Sequence, residues 1–140
     1  MHEKPKLLII LQNFYGNRKG RLKRPVYNTR IINRKNATYS RLVKYLEPHF
    51  ELWFTECTNQ VANNKKTKFP TNLDFVKSAC EHDNWFAIIA FSNQAHKAVD
   101  DLGIEVFAKL PHPVSWAWRK KLIEDCRDSL VEKLNEKKVN

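Results

Sequence analysis

Four short apolar runs separated by amphipathic stretches leave this chain few architectures to choose from. Lys6-Leu7-Leu8-Ile9-Ile10-Leu11, Leu52-Trp53-Phe54-Thr55, Phe86-Ala87-Ile88-Ile89-Ala90-Phe91 and Ile104-Glu105-Val106-Phe107-Ala108-Lys109-Leu110 read as strands. An unbroken apolar run fits a strand buried on both faces, as in a parallel sheet covered by helices. Between them lie helical patterns. Asn36-Ala37-Thr38 opens one that puts Tyr39, Leu42, Val43 and Leu46 on one face and ends at Pro48. Asn72 or Thr71 caps a second through about Cys80, with Leu73, Val76 and Cys80 at helical spacing. Ser92 or Asn93 starts a third through Asp101, closed by Gly103. From Trp116 to about Lys137 runs a fourth, with Leu122, Cys126, Leu130 and Leu134 in register. Strand–helix alternation of this kind predicts an α/β fold: three-layer α/β/α around a four-stranded parallel sheet, in a single domain over 1–140.

Composition narrows the setting. With 42% hydrophobic residues the chain can bury a core. No apolar stretch approaches the roughly 20 residues of a membrane span, so no membrane partner is expected. Met1-His2-Glu3-Lys4-Pro5-Lys6 carries no apolar signal core, and a cytoplasmic location is expected. Cys57, Cys80 and Cys126 are widely spaced and read as buried thiols. The histidines show no metal-ligand spacing, so neither metal nor cofactor is expected.

Charge says more. The net charge is +10, and Arg18, Lys19, Arg21, Lys23, Arg24, Arg30, Arg34, Lys35, Arg41 and Lys44 crowd one third of the chain. No acidic residue falls between Lys4 and Glu47. Residues 14–35 show no helical period and are expected to form a long basic loop, and a loop of that length usually serves a function. A field of this sign attracts phosphate backbones and releases counterions on binding. DNA is the expected partner, bound by a monomer and less tightly as salt rises.

Two loops leaving strands carry the remaining signal. Leu11-Gln12-Asn13-Phe14-Tyr15 follows the first strand, and His112-Pro113-Val114-Ser115-Trp116 follows the fourth. Between them, Phe91-Ser92-Asn93-Gln94-Ala95-His96 spans a strand-to-helix junction. In this order and strand context the three segments resemble motifs of the uracil-DNA glycosylase superfamily: G-Q-D-P-Y or G-I-N-P-G, then W-G-N-H-A-Q, then H-P-S-P-L. The chain departs from them at Leu11, Phe14 and Val114, which replace Gly, Pro and Ser. The resemblance implies a uracil-DNA glycosylase-like sheet and a monofunctional DNA N-glycosylase. Such an enzyme flips a base out of the duplex, hydrolyses its N-glycosidic bond and leaves an abasic site.

The resemblance also implies roles. Asn13 matches the residue that holds the hydrolytic water; an amide cannot remove a proton, but an oxocarbenium-like sugar needs only a positioned water. The competing reading is an Asx turn. His112 matches the donor to the departing base's O2, where negative charge gathers. Gln12 would contribute its backbone N–H to a base carbonyl. Tyr15 matches the tyrosine that limits space beside the pyrimidine 5-position, which opposes a bulky 5-substituent unless the ring turns away. Tyr27, from the basic loop, is the preferred aromatic to stack on the extruded base. Trp116 stands where the family carries its intercalating Leu, with Ser115 and Arg119 beside it on the DNA side; the competing reading packs the Trp rings in the helix face.

Glu56 is the informative departure. It falls where uracil-reading enzymes carry Asn. An ionised carboxylate only accepts hydrogen bonds, so it would oppose uracil O4 and suit an exocyclic amine such as cytosine N4. A protonated Glu56 in a dry pocket could donate to N3 instead. A shift of alignment by one or two residues would make it an ordinary solvated Glu. The expected substrate is a modified or damaged base, preferentially a cytosine derivative, including the hypermodified bases of phage DNA. Repair of uracil or mismatches is the alternative, and a non-catalytic DNA-binding module on the same fold is a third.

Overall fold

The computed structural model describes residues 4–12, 24–30, 32, 34–60, 69–114 and 120–139. Its elements are β1 (Lys6–Leu11), β2 (Tyr27–Asn28), α1 (Ala37–Leu46), β3 (Glu51–Glu56), α2 (Leu73–Glu81), β4 (Ala87–Phe91), α3 (Asn93–Leu102), β5 (Ala108–Leu110) and α4 (Lys120–Val139). The sheet order is β2-β3-β1-β4-β5. β1 pairs in parallel with both β3 and β4, and β4 in parallel with β5.

Alternation along the strands sorts side chains into two cores. Leu7, Ile9 and Leu11 face one way with Leu52 and Phe54, and meet Leu42 and Leu46 of α1 and Ile123, Cys126 and Leu130 of α4. Leu8 and Ile10 face the other way and meet Val76 and Ala79 of α2 and Ala95, Ala98 and Val99 of α3. Leu7 to Ile10 are completely buried, which explains why β1 lacks any polar alternation. Each such side chain contributes about 1.5–3 kcal/mol on leaving water.

Three expectations need correcting. Among the described residues the sheet has five strands and is mixed, because Tyr27 and Asn28 pair antiparallel with Phe54 and Trp53. This edge strand lies inside the segment expected to be a loop. Its two neighbouring side chains split between the cores, Val26 towards α2 and α3 and Tyr27 towards α1 and α4. The last strand is shorter than its apolar run, Ala108–Leu110. In α4 the core residue is Ile123 and Leu122 is exposed. A repeat of four residues drifts by about 40° per step on a helix of 3.6 residues per turn, so Ile123, Cys126 and Leu130 track the buried face better.

Helix ends follow local chemistry. Asn36 accepts from the Thr38 N–H, Asn72 from the Phe75 N–H and Ser92 from the Ala95 N–H. Gly103 closes α3 with φ 66°, the left-handed cap that glycine adopts without strain.

The chain leaves β1 for β3 on one side, then crosses back to β4 on the other. At such a reversal, loops leaving the carboxyl ends of neighbouring strands diverge and open a crevice. Here those ends belong to β1 and β4. Ser92, directly after β4, has φ 93° and ψ 154°, a region nearly reserved for glycine. Its N–H donates to the Leu110 carbonyl at 3.0 Å, which helps hold the strained turn. Ser92→Gly relieves that strain and loses only a few tenths of a kcal/mol of capping. A net stabilisation of about 1 kcal/mol is expected, read as a higher melting temperature.

Candidate functional site

The carboxyl edge of the sheet collects four of the residues singled out from sequence. Gln12 follows β1, Glu56 ends β3, His112 lies two residues past β5, and Tyr27 in β2 pairs with β3. Asn13, Tyr15, Ser115, Trp116 and Arg119 lie outside the described residues. Gln12 is half-buried, and its carbonyl accepts from the Cys57 N–H at 3.1 Å, so β1 and β3 stay joined beyond their last ladder pair, Leu11 with Glu56.

Glu56 is not a solvated surface residue. It is 1% exposed and shares a face with Phe54 and Leu11. The Tyr27 hydroxyl donates a short hydrogen bond to its Oε1. Tyr27 and Tyr39 hydroxyls are 3.0 Å apart, extending a chain from α1 through β2 to β3. The second carboxyl oxygen, Oε2, is buried with no hydrogen-bond partner among the described residues. Burial pushes the Glu56 carboxyl up to about 8, against the opposing pull of the Tyr27 bond. The uncharged acid is therefore favoured at neutral pH, with Oε1 engaged and Oε2 unsatisfied among the described residues. Burial, then the nearby Glu56, also drives the Tyr27 hydroxyl well above its ordinary value, so it stays a donor.

Tyr27 does not serve as an open stacking platform. Its ring is 6% exposed and stacked on Phe54 at 5.6 Å between centroids, and Tyr39 meets Phe54 edge-on at 5.4 Å. Packing on Phe54 holds the Tyr27 hydroxyl on Glu56 and the Tyr39 hydroxyl on Tyr27. Sequence reading counted Tyr39 only as part of an apolar helix face; a tyrosine there gave no sign of where its hydroxyl would reach.

His112 sits in a braced loop. Its Nδ1 accepts from the Val114 N–H at 3.2 Å. A neutral imidazole that accepts at Nδ1 carries its proton on Nε2, so the ring keeps a donor. Burial lowers its pKa from the ordinary value, which favours the neutral ring. Arg41 of α1 donates to the Pro113 carbonyl, and the same helix carries Tyr39 two residues earlier. One helix thus anchors both the Glu56 network and the His112 loop. Upstream, His96 Nε2 lies 3.0 Å from the Ala90 carbonyl and 2.9 Å from the Leu110 carbonyl, clamping the ends of β4 and β5.

The basic residues divide. Arg34 makes two bonds to the Glu47 carboxylate, at 2.9 and 3.1 Å, so it neutralises an acid of its own chain. Arg34 and Glu47 border a cavity of about 470 Å³ near Lys6 and Glu51, at the opposite, amino-terminal edge of the sheet. Another, of about 450 Å³, lies beyond the carboxyl end of β3 against the first turn of α2, with Thr58, Gln60, Asn72 and Asp74 on its walls. Neither Glu56 nor His112 is among the described residues lining these two. The cysteines suit inert packing: burial pushes Cys57 up to about 12, and Cys80 and Cys126 up to about 11.

No protein-family model, curated protein or solved structure matches the chain.

Proposed function

We propose that the protein is a monofunctional DNA N-glycosylase that acts on a modified cytosine, on a uracil-DNA glycosylase-like sheet. The observation that carries this reading is the buried Glu56 acid at the carboxyl edge, its Oε2 left without a partner among the described residues. An unsatisfied polar atom in a protein interior costs about 1–3 kcal/mol. A base that presents complementary edge groups would remove that cost on binding.

Three further features support it. Four of the five described strands, β3, β1, β4 and β5, run parallel, which supports such a sheet with β2 added antiparallel at its edge. Ser92 stands where the W-G-N-H-A-Q motif has its glycine, and its φ of 93° is what would call for a glycine there. His112 is a neutral donor through Nε2, suited to the negative charge that collects on a departing base. In this reading Asn13 holds the water, Gln12 binds the base through its backbone, and Trp116 fills the gap left by the flipped nucleotide. Ser115 and Arg119 contact the backbone, and Tyr15 borders the pyrimidine 5-position.

The test is base release, read by mass spectrometry, from duplexes each bearing uracil, hypoxanthine or a modified cytosine. Release from a modified cytosine, with binding that weakens as salt rises, is expected. Robust uracil excision undiminished in Glu56→Ala would favour uracil repair. Binding with no release from any duplex would leave a non-catalytic DNA-binding module.

A further inference from the structure

Glu56 is sealed from solvent and lines neither described cavity, so a base meets it only once the carboxyl edge opens. We infer that its Oε2–H is the general acid that protonates ring nitrogen N3 of the departing cytosine-type base, with Tyr27 and Tyr39 as positioning residues. This deepens the glycosylase reading and rests on it.

Oε1 already accepts from Tyr27, so in the acid form the proton belongs on Oε2, the oxygen without a partner among the described residues. A cytosine-type base offers N3, an acceptor, next to an exocyclic amine, a donor. The carboxylic acid is their complement: Oε2–H donates to N3, and Oε1 has a second lone pair for an amine N–H. Uracil presents N3–H instead, and two donors would face each other. The uncharged acid therefore discriminates between the two pyrimidines by polarity rather than by size.

The same contact can move a proton. As the bond from the base N1 to the sugar C1′ breaks, its electron pair stays with the base. The Oε2 proton passes to N3, so the base leaves as a neutral tautomer. Water adds to C1′ and sheds one proton, which restores the Glu56 acid through solvent. Substrate and one water thus give an abasic sugar and a free base.

Tyr27 explains why this acid would be strong enough. Its bond to Oε1 strengthens when Glu56 becomes a carboxylate, since hydrogen bonds to charged acceptors are roughly twice as strong. Among the described residues, the titratable groups facing or adjoining Glu56 are Tyr27 from β2, Tyr39 from α1 through Tyr27, and Cys57, the next residue after the strand. Phe54 holds both tyrosine rings in place.

The experiment is single-turnover release from a duplex with one 5-hydroxymethylcytosine, and from the same duplex with uracil. Rates are measured from about pH 6 to about pH 9.5 for the wild type, Glu56→Gln and Tyr27→Phe, with circular dichroism confirming the fold of each. The wild type should release the cytosine derivative at a rate that falls about tenfold per pH unit once the acid ionises. Glu56→Gln keeps the shape but has no transferable proton, and should lose at least about a hundredfold at neutral pH along with the alkaline limb. Tyr27→Phe removes the bond that favours the carboxylate, so the midpoint should move to higher pH; a purely structural tyrosine would leave it fixed. Release by Glu56→Gln within a few-fold of wild type, on the same pH profile, would overturn the general acid and leave the glycosylase standing. Absence of release from either duplex by the wild type would overturn both.

Discussion

His112→Ala should slow base release about a hundredfold while leaving duplex binding unchanged, because the lost group acts only on charge that appears as the bond breaks. The ring is suited to this by its surroundings rather than by its own titration. The Val114 N–H occupies Nδ1 and fixes the proton on Nε2, while burial keeps the ring neutral. Arg41 pins the loop through the Pro113 carbonyl, so removing the imidazole need not release the backbone. Single-turnover rates and a binding isotherm, at the same salt concentration, separate the two effects. A tenfold weaker complex with an unchanged bond-breaking rate would assign His112 to binding instead.

How much of this was legible in the sequence depended on how many residues carried each signal. The four parallel strands and the helices between them announced themselves through short apolar runs and through caps at Asn36, Asn72 and Ser92. Strand β2 did not, because two residues cannot display a period, and its pairing with Phe54 and Trp53 is decided by tertiary contact. The face of α4 is hidden in the sequence for the opposite reason. Leu122 offered a tempting repeat of four, and only the packing chose Ile123.

Site chemistry followed the same division. Position was legible, since a residue just past an apolar run must sit at the sheet edge, as Gln12, Glu56 and His112 do. Environment was not. Whether Glu56 was solvated or buried turned on Tyr27 and Tyr39, which lie 29 and 17 residues earlier in the chain. The structure removes the solvated reading. It also converts Tyr27 from an aromatic surface into a hydroxyl donor, a change no local pattern could announce.

A buried acid of this kind must also be visible in stability, where the second large effect is expected. The Glu56 carboxyl sits at about 8 in the folded chain against an ordinary value near 4.5. Between those values the folded state holds a proton that the unfolded chain has lost. Its stabilising contribution is therefore complete below about pH 4.5, erodes as pH rises, and is gone above about pH 8. The span corresponds to roughly 4–5 kcal/mol. Other groups titrate in the same window: His112, whose folded pKa is lowered, makes stability rise with pH. The measurement is therefore the difference between wild type and Glu56→Gln, in which shared terms cancel. In acid the Gln variant should be less stable by about 1–3 kcal/mol, because its buried amide brings a donor group without a full set of partners. Above about pH 8 the order should reverse by several kcal/mol, since only the wild type then buries a carboxylate with a bare oxygen. Thermal unfolding by circular dichroism at fixed ionic strength reads both arms, and the two curves should cross. Parallel curves would mean that Glu56 titrates as it does in water, which would remove the uncharged acid on which recognition of a cytosine edge depends.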